Sequence, residues 1–194
     1  ENINKAQYGN FANSPYLGAA DYKMNIKSSS GRGVFTFCMC PGGFVVASQS
    51  EENTIVTNGM SNFSRDEVNS NAALLVNVYP SDFMSEDVLA GVELQRKIEE
   101  AAYSLTGGKG VPVQTVGGYV YGEESSSSVA PTVKPQAIFS NLSEIFPDFI
   151  NRSLKLGIVE LDKKLKGFAD KGALLTGPET RSSSPVRMLR NEDL

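Results

Sequence analysis

The sequence predicts an α+β fold, with a mostly antiparallel β-sheet or barrel-like core and a layer of two to three helices over it. Three observations carry this expectation. Short β-branched and aromatic runs dominate the N-terminal half, two long apolar stripes at three- and four-residue spacing come next, and short apolar runs return near the end. With 194 residues, 40% hydrophobic and 21% charged, the chain suits a single cored domain over 1–194 rather than a disordered or membrane-embedded one.

In chain order, Ile3 to Tyr8 could form a short helix. Asp21 to Lys27 alternates Tyr22, Met24 and Ile26 with polar residues, the period of a strand with one wet face. Val34-Phe35-Thr36-Phe37 and Phe44-Val45-Val46-Ala47 are β-rich runs, and the turn between them reads as a hairpin-like connection. Thr54 to Thr57 is a further strand closed by Asn58-Gly59, a strong turn dipeptide. Ala72 to Tyr79 reads as a central strand ended by Pro80.

Ser85 to Leu105 carries Val88, Gly91, Leu94, Ile98, Ala101 and Leu105 at helical spacing, with Gly107-Gly108 as its stop. Val111 to Tyr121 is expected to be a strand. Residues 122–136 form a flexible Ser/Pro-rich loop within the domain, too polar to pack. Asn141 and Glu144 have capping-box spacing, and Pro147 opens a second long helix whose stripe runs from Phe146 to Phe168. Lys163, Lys164 and Lys166 suit its negative pole, and Gly167 caps it. Ala173 to Thr176 and Val186 to Leu189 read as terminal strands around a polar loop.

Composition removes several functions. No apolar run approaches the roughly 20 residues needed to cross a bilayer. The net charge is −4 and basic residues are scattered, which argues against a nucleic-acid partner. Histidine is absent, so Ser/His, Cys/His and His-metal chemistry cannot occur here. Two cysteines one residue apart make no disulfide framework, and a reduced, cytoplasmic setting is expected. A start at Glu1 and an end at Asn191 to Leu194 suggest a domain excised from a larger chain.

The most unusual local sequence is Cys38-Met39-Cys40-Pro41-Gly42-Gly43. Its glycines allow close approach to a ligand and present N–H groups to it, and its two thiols could form a redox pair. A Cys-x-Cys disulfide closes a small, strained ring, so on residues alone a structural turn outweighs dithiol catalysis. The second candidate is the loop Gly177-Pro178-Glu179-Thr180-Arg181-Ser182, which places a carboxylate, a guanidinium and hydroxyls together. A polar ligand site and a surface ion pair stand level there.

These two segments, with Gly31-Arg32-Gly33, Val56 to Ser61, Ala90 to Arg96, Lys166 to Ala169 and the run Thr176 to Arg187, resemble the family of FAD-dependent dehydrogenases often labelled NAD(FAD)-utilizing. The resemblance covers essentially the whole chain. It implies an insert domain of a two-halved, glutathione-reductase-like FAD-binding flavoprotein, in which the flanking segments of the same chain hold the FAD pyrophosphate. This chain lacks both Gly-rich FAD motifs, so FAD belongs to the full-length protein and is not expected in this fragment. NAD(P)H would be an electron donor, and the substrate is an unknown small molecule. The resemblance implies that Cys38 to Gly43 and Gly177, Glu179, Thr180, Arg181 and Ser182 approach the flavin as cofactor-binding residues. The candidate catalytic residues are Cys38, Cys40 and Arg181, although the resemblance assigns no catalytic role. The expected function is a substrate-side covering domain of an FAD-dependent oxidoreductase, inactive alone. The competing expectation is a non-enzymatic interaction module that recruits a partner through the loop at Glu123 to Pro135.

Overall fold

The computed structural model describes residues 8–18, 24–28, 31–124 and 129–191. The expected helix at Ile3 to Tyr8 and the start of the first strand lie largely outside them. Among the described residues, nine strands form three separate three-stranded sheets: β1 (Asn25–Lys27), β2 (Gly33–Cys40) and β5 (Asn71–Val76); β3 (Gly43–Ala47), β4 (Thr57–Ser61) and β7 (Val133–Lys134); β6 (Val111–Thr115), β8 (Ala137–Phe139) and β9 (Leu174–Thr176). Among the described residues, three α-helices accompany the sheets: α1 (Ala90–Thr106), α2 (Val116–Tyr121) and α3 (Asp148–Lys164). The α+β class holds. The barrel-like core does not, because none of the described sheets closes on itself.

Pairing explains most departures from the sequence reading. β2 and β3 are consecutive but never pair: β2 lies between β1 and β5, and β3 lies between β4 and β7. The Pro41-Gly42 turn is therefore a corner between two sheets, not a hairpin. Asn58 and Gly59 sit inside β4 opposite Val46 and Val45 rather than closing a turn. A β-carbon on Gly59 would lie 2.1 Å from Asn71 Oδ1, so this strand position has no room for a side chain. The expected central strand at Ala72 is the edge strand β5.

The run after Val111 extends only to Thr115, where the Thr115 hydroxyl accepts from Gly118 N–H at 3.0 Å and caps α2. Nor is the polar loop wholly unpacked: Val133 and Lys134 pair in parallel with β3. The first long helix begins at Ala90 rather than Ser85, and Val186 to Leu189 is an exposed segment with no strand partner.

The stop at Gly107 is as expected, with φ 60° and its N–H returned to the last helical turn. The lysines at the end of α3 do more than face its dipole: Lys163 pairs with Glu160, Lys166 with Asp162, and Lys164 donates to the Asn25 carbonyl of β1. Ile98 and Ala102 of α1, Val116 and Tyr119 of α2, and Ile150 and Ile158 of α3 meet in one buried cluster. Among the described residues, no helix is long and apolar enough to cross a membrane.

Candidate functional site

A β-bulge sets the first half of the site. Phe37 pairs with Ala73 and Met39 with Ala72, which leaves Cys38 as the extra residue, at φ 37°. This insertion exchanges the faces of the strand beyond it. Met39 therefore joins the side of β2 that carries Val34 and Thr36, and Cys38 is exposed. Cys40 is half-buried. Burial pushes its thiol pKa up, the neighbouring Cys38 and Glu179 add to the rise, and a hydrogen bond with Ser61 opposes it.

The glycines of the turn serve the chain's own backbone. A β-carbon on Gly42 would lie 1.9 Å from the Arg65 carbonyl oxygen, and one on Gly43 would lie 2.1 Å from that of Met60. Their N–H groups donate to Ser70 Oγ at 3.1 Å and to the Asn69 carbonyl at 2.7 Å. Close approach is indeed the reason for glycine at both positions, but the approaching group is protein. Pro41 is held likewise, its carbonyl accepting from Ser61 Oγ at 2.8 Å.

The second half is the segment after β9. Glu179, Thr180 and Arg181 take φ values of 40°, 25° and 58°, three consecutive non-glycine residues in the left-handed region. Such strain persists only where surrounding bonds hold it. Glu179 N–H donates to Thr57 Oγ1 at 2.7 Å. The Thr180 hydroxyl donates to Glu99 Oε1 at 2.6 Å, and Arg181 grips the same carboxylate through Nε at 2.9 Å and a terminal nitrogen at 2.8 Å. Arg181 also donates to Ser50 Oγ at 3.1 Å and Glu51 Oε1 at 3.0 Å. All three guanidinium nitrogens thus bond to the protein, and Ser182 is exposed beyond it.

The two halves converge on a cavity of about 630 Å³, within the range of small-molecule sites. Met39 reaches it from β2, Thr57 and Gly59 from β4, Tyr119 from α2, Ile158 from α3, and Gly177 to Glu179 from the strained segment. Glu179 lies in this wall, and burial alone raises its carboxyl pKa to about 7. Among the described residues, no group of three or more His, Cys, Asp or Glu could hold a metal ion.

Of the expected site residues, Met39, Gly177 and Glu179 line this cavity, whereas Cys38, Cys40, Pro41, Gly42, Gly43, Thr180, Arg181 and Ser182 are not in its lining, and sequence reasoning missed Glu99 and Thr57, which fix the second loop. Glu99 left a readable signal, a carboxylate on the face of α1 shared by Gly91, Ala102 and Thr106. Thr57 left none, because its role depends on a residue 122 positions away.

Residues 1–182 match the family described as FAD-dependent protein, C-terminal domain-like. The chain belongs to that family. An uncharacterized protein of Clostridium beijerinckii (strain ATCC 51743 / NCIMB 8052) is 48% identical over 198 residues, a match that takes in 100% of this chain and 37% of the relative. The chain therefore spans well under half the length of that relative. As a C-terminal region of FAD-dependent proteins, it carries no dinucleotide-binding motif. The Gly42 and Gly43 N–H groups are already bonded, and Lys166 in the cavity lining is paired with Asp162, so none of these three donors is left free for a pyrophosphate. Neither the family match nor the cavity supports NAD(P)H as donor.

Proposed function

We propose that this domain covers the flavin and substrate site of an FAD-dependent oxidoreductase, with its cavity as the substrate-side wall. The observation that carries the reading is the convergence of Met39 and the strained Gly177–Glu179 segment on one cavity within a chain of the FAD-dependent family. Bound FAD would supply the electron transfer, held by segments of the parent outside these residues. This chain would exclude water, shape the pocket and place Glu179 in its wall. Arg181 would act through the fold, holding the Glu179 segment on Glu99, rather than by touching a ligand.

The full-length protein should purify with flavin, and that flavin should resist fluorescence quenching by iodide. A colourless full-length protein would refute the reading. A flavin as open to iodide as free flavin would refute the covering role.

A further inference from the structure

Two charged side chains line the cavity, Lys166 and Glu179, and their circumstances are opposite. The Lys166 side chain is 93% exposed and paired with Asp162 at 2.8 Å. The Glu179 carboxylate is partly buried and, among the described residues, receives no hydrogen bond or ion pair. Its position is nevertheless fixed, by the Thr57 hydroxyl on its own N–H and by the ties of Thr180 and Arg181 to Glu99.

An ionised carboxylate without a partner in apolar surroundings is costly, and either a proton or a cationic group relieves it. Among the described residues no cation is bonded to it, and Lys166, the cation in the cavity lining, is paired with Asp162 instead. Cys40, at the end of β2, raises the carboxyl's repulsion when ionised. The Tyr119 hydroxyl of α2 is bonded to Asn151 at 2.8 Å, and Arg181, on the same segment, is committed to Glu99 and Glu51. Leu74, Phe146, Leu154 and Ile158 supply apolar wall.

We propose that Glu179 is the polar anchor of the cavity, receiving a ligand with an apolar body and one basic nitrogen and exchanging a proton with that nitrogen. In the forward step the carboxyl O–H bond breaks and its electron pair stays on the oxygen. The proton joins the lone pair of a neutral amine, or passes to water where the amine arrives already as ammonium, and the resulting ammonium–carboxylate pair holds the ligand; release reverses the transfer. A carboxyl raised to about 7 by burial retains a proton to give near neutral pH. The proposal rests on the covering-domain reading for the cavity being a ligand site.

The test is calorimetric binding of benzylamine and benzyl alcohol to the full-length protein, alongside its Glu179→Gln and Glu179→Asp variants. Benzylamine should bind wild type about tenfold more tightly than the alcohol, the gain of one charge-assisted bond. Glu179→Gln should lose the preference and Glu179→Asp should keep most of it. Equal affinities in wild type, an unchanged preference in Glu179→Gln, or no binding by either compound would each overturn the proposal. If Glu179→Gln does not fold, the wild-type comparison still decides. Flavin absorbance of the same samples separates the two readings. A colourless protein with a Glu179-dependent preference sinks only the flavin role, whereas a flavoprotein without the preference sinks only this inference.

Discussion

Glu99 has no exposed surface, yet it accepts three hydrogen bonds, one from Thr180 and two from Arg181. Deleting the guanidinium would leave a buried charge with only a hydroxyl partner. Arg181→Ala is therefore expected to cost about 3 kcal/mol in denaturant unfolding of the chain, at the lower end for a broken buried pair because Arg181 is partly exposed. Arg181→Lys should recover less than half of that, since an ammonium cannot span both carboxylate oxygens and reach Glu51 as the fork does. A loss below about 0.5 kcal/mol, the worth of a surface pair, would show that the pair is solvated after all. The sequence displayed the Glu179-Thr180-Arg181 chemistry openly, but not its direction. The partner carboxylate lies 82 residues away from Arg181, so the choice between ligand site and ion pair could not be made locally.

At the scale of elements, periodicity made the helices legible, and pairing hid the sheets. The stripes of α1 and α3 declare themselves within each helix, so both can be placed to within a few residues. Strand partners are set by distant chain, and β2 and β3 look like hairpin arms until their neighbours are known. Asn58-Gly59 has the composition of a turn, yet Asn71 packs where a side chain on Gly59 would stand. Gly157 gives a matching case inside a helix. A β-carbon there would meet Val34 Cγ1 at 2.5 Å and Val34 Cβ at 3.0 Å, so the glycine lets α3 lie on β2. Alanine's helix propensity favours Gly157→Ala by about 1 kcal/mol, but overpacking costs about 1–3 kcal/mol. Val34 has no exposed surface into which to move, so the clash should win. Unfolding should show a net loss of about 1 kcal/mol, and the two substitutions should couple favourably in Gly157→Ala with Val34→Ala. Simple additivity would place the helix farther from the sheet than this packing requires.

Across the whole molecule, the segment before α1 and the one after Arg181 meet over the helix's first turn. A β-carbon on Gly91 would lie 2.8 Å from Pro185 Cβ and 3.1 Å from Phe83 Cζ. Around this contact Met84, Val88, Met188 and Leu189 are each more than 80% exposed. Scattered apolar residues are normal on a surface, but a grouping on two adjoining segments is the pattern that a face covered in a longer parent would leave. The chain covers 37% of the length of its Clostridium beijerinckii relative, so a parent of that size has ample chain to lie on this face. If it does, methionine chemistry should report it, because oxidation by peroxide tracks exposure of the thioether. Met84 and Met188 should oxidise rapidly in the 194-residue chain and several-fold more slowly in the full-length protein, as read by peptide mass spectrometry after a timed peroxide pulse. Equal rates in the two would mean that the parent leaves this face open.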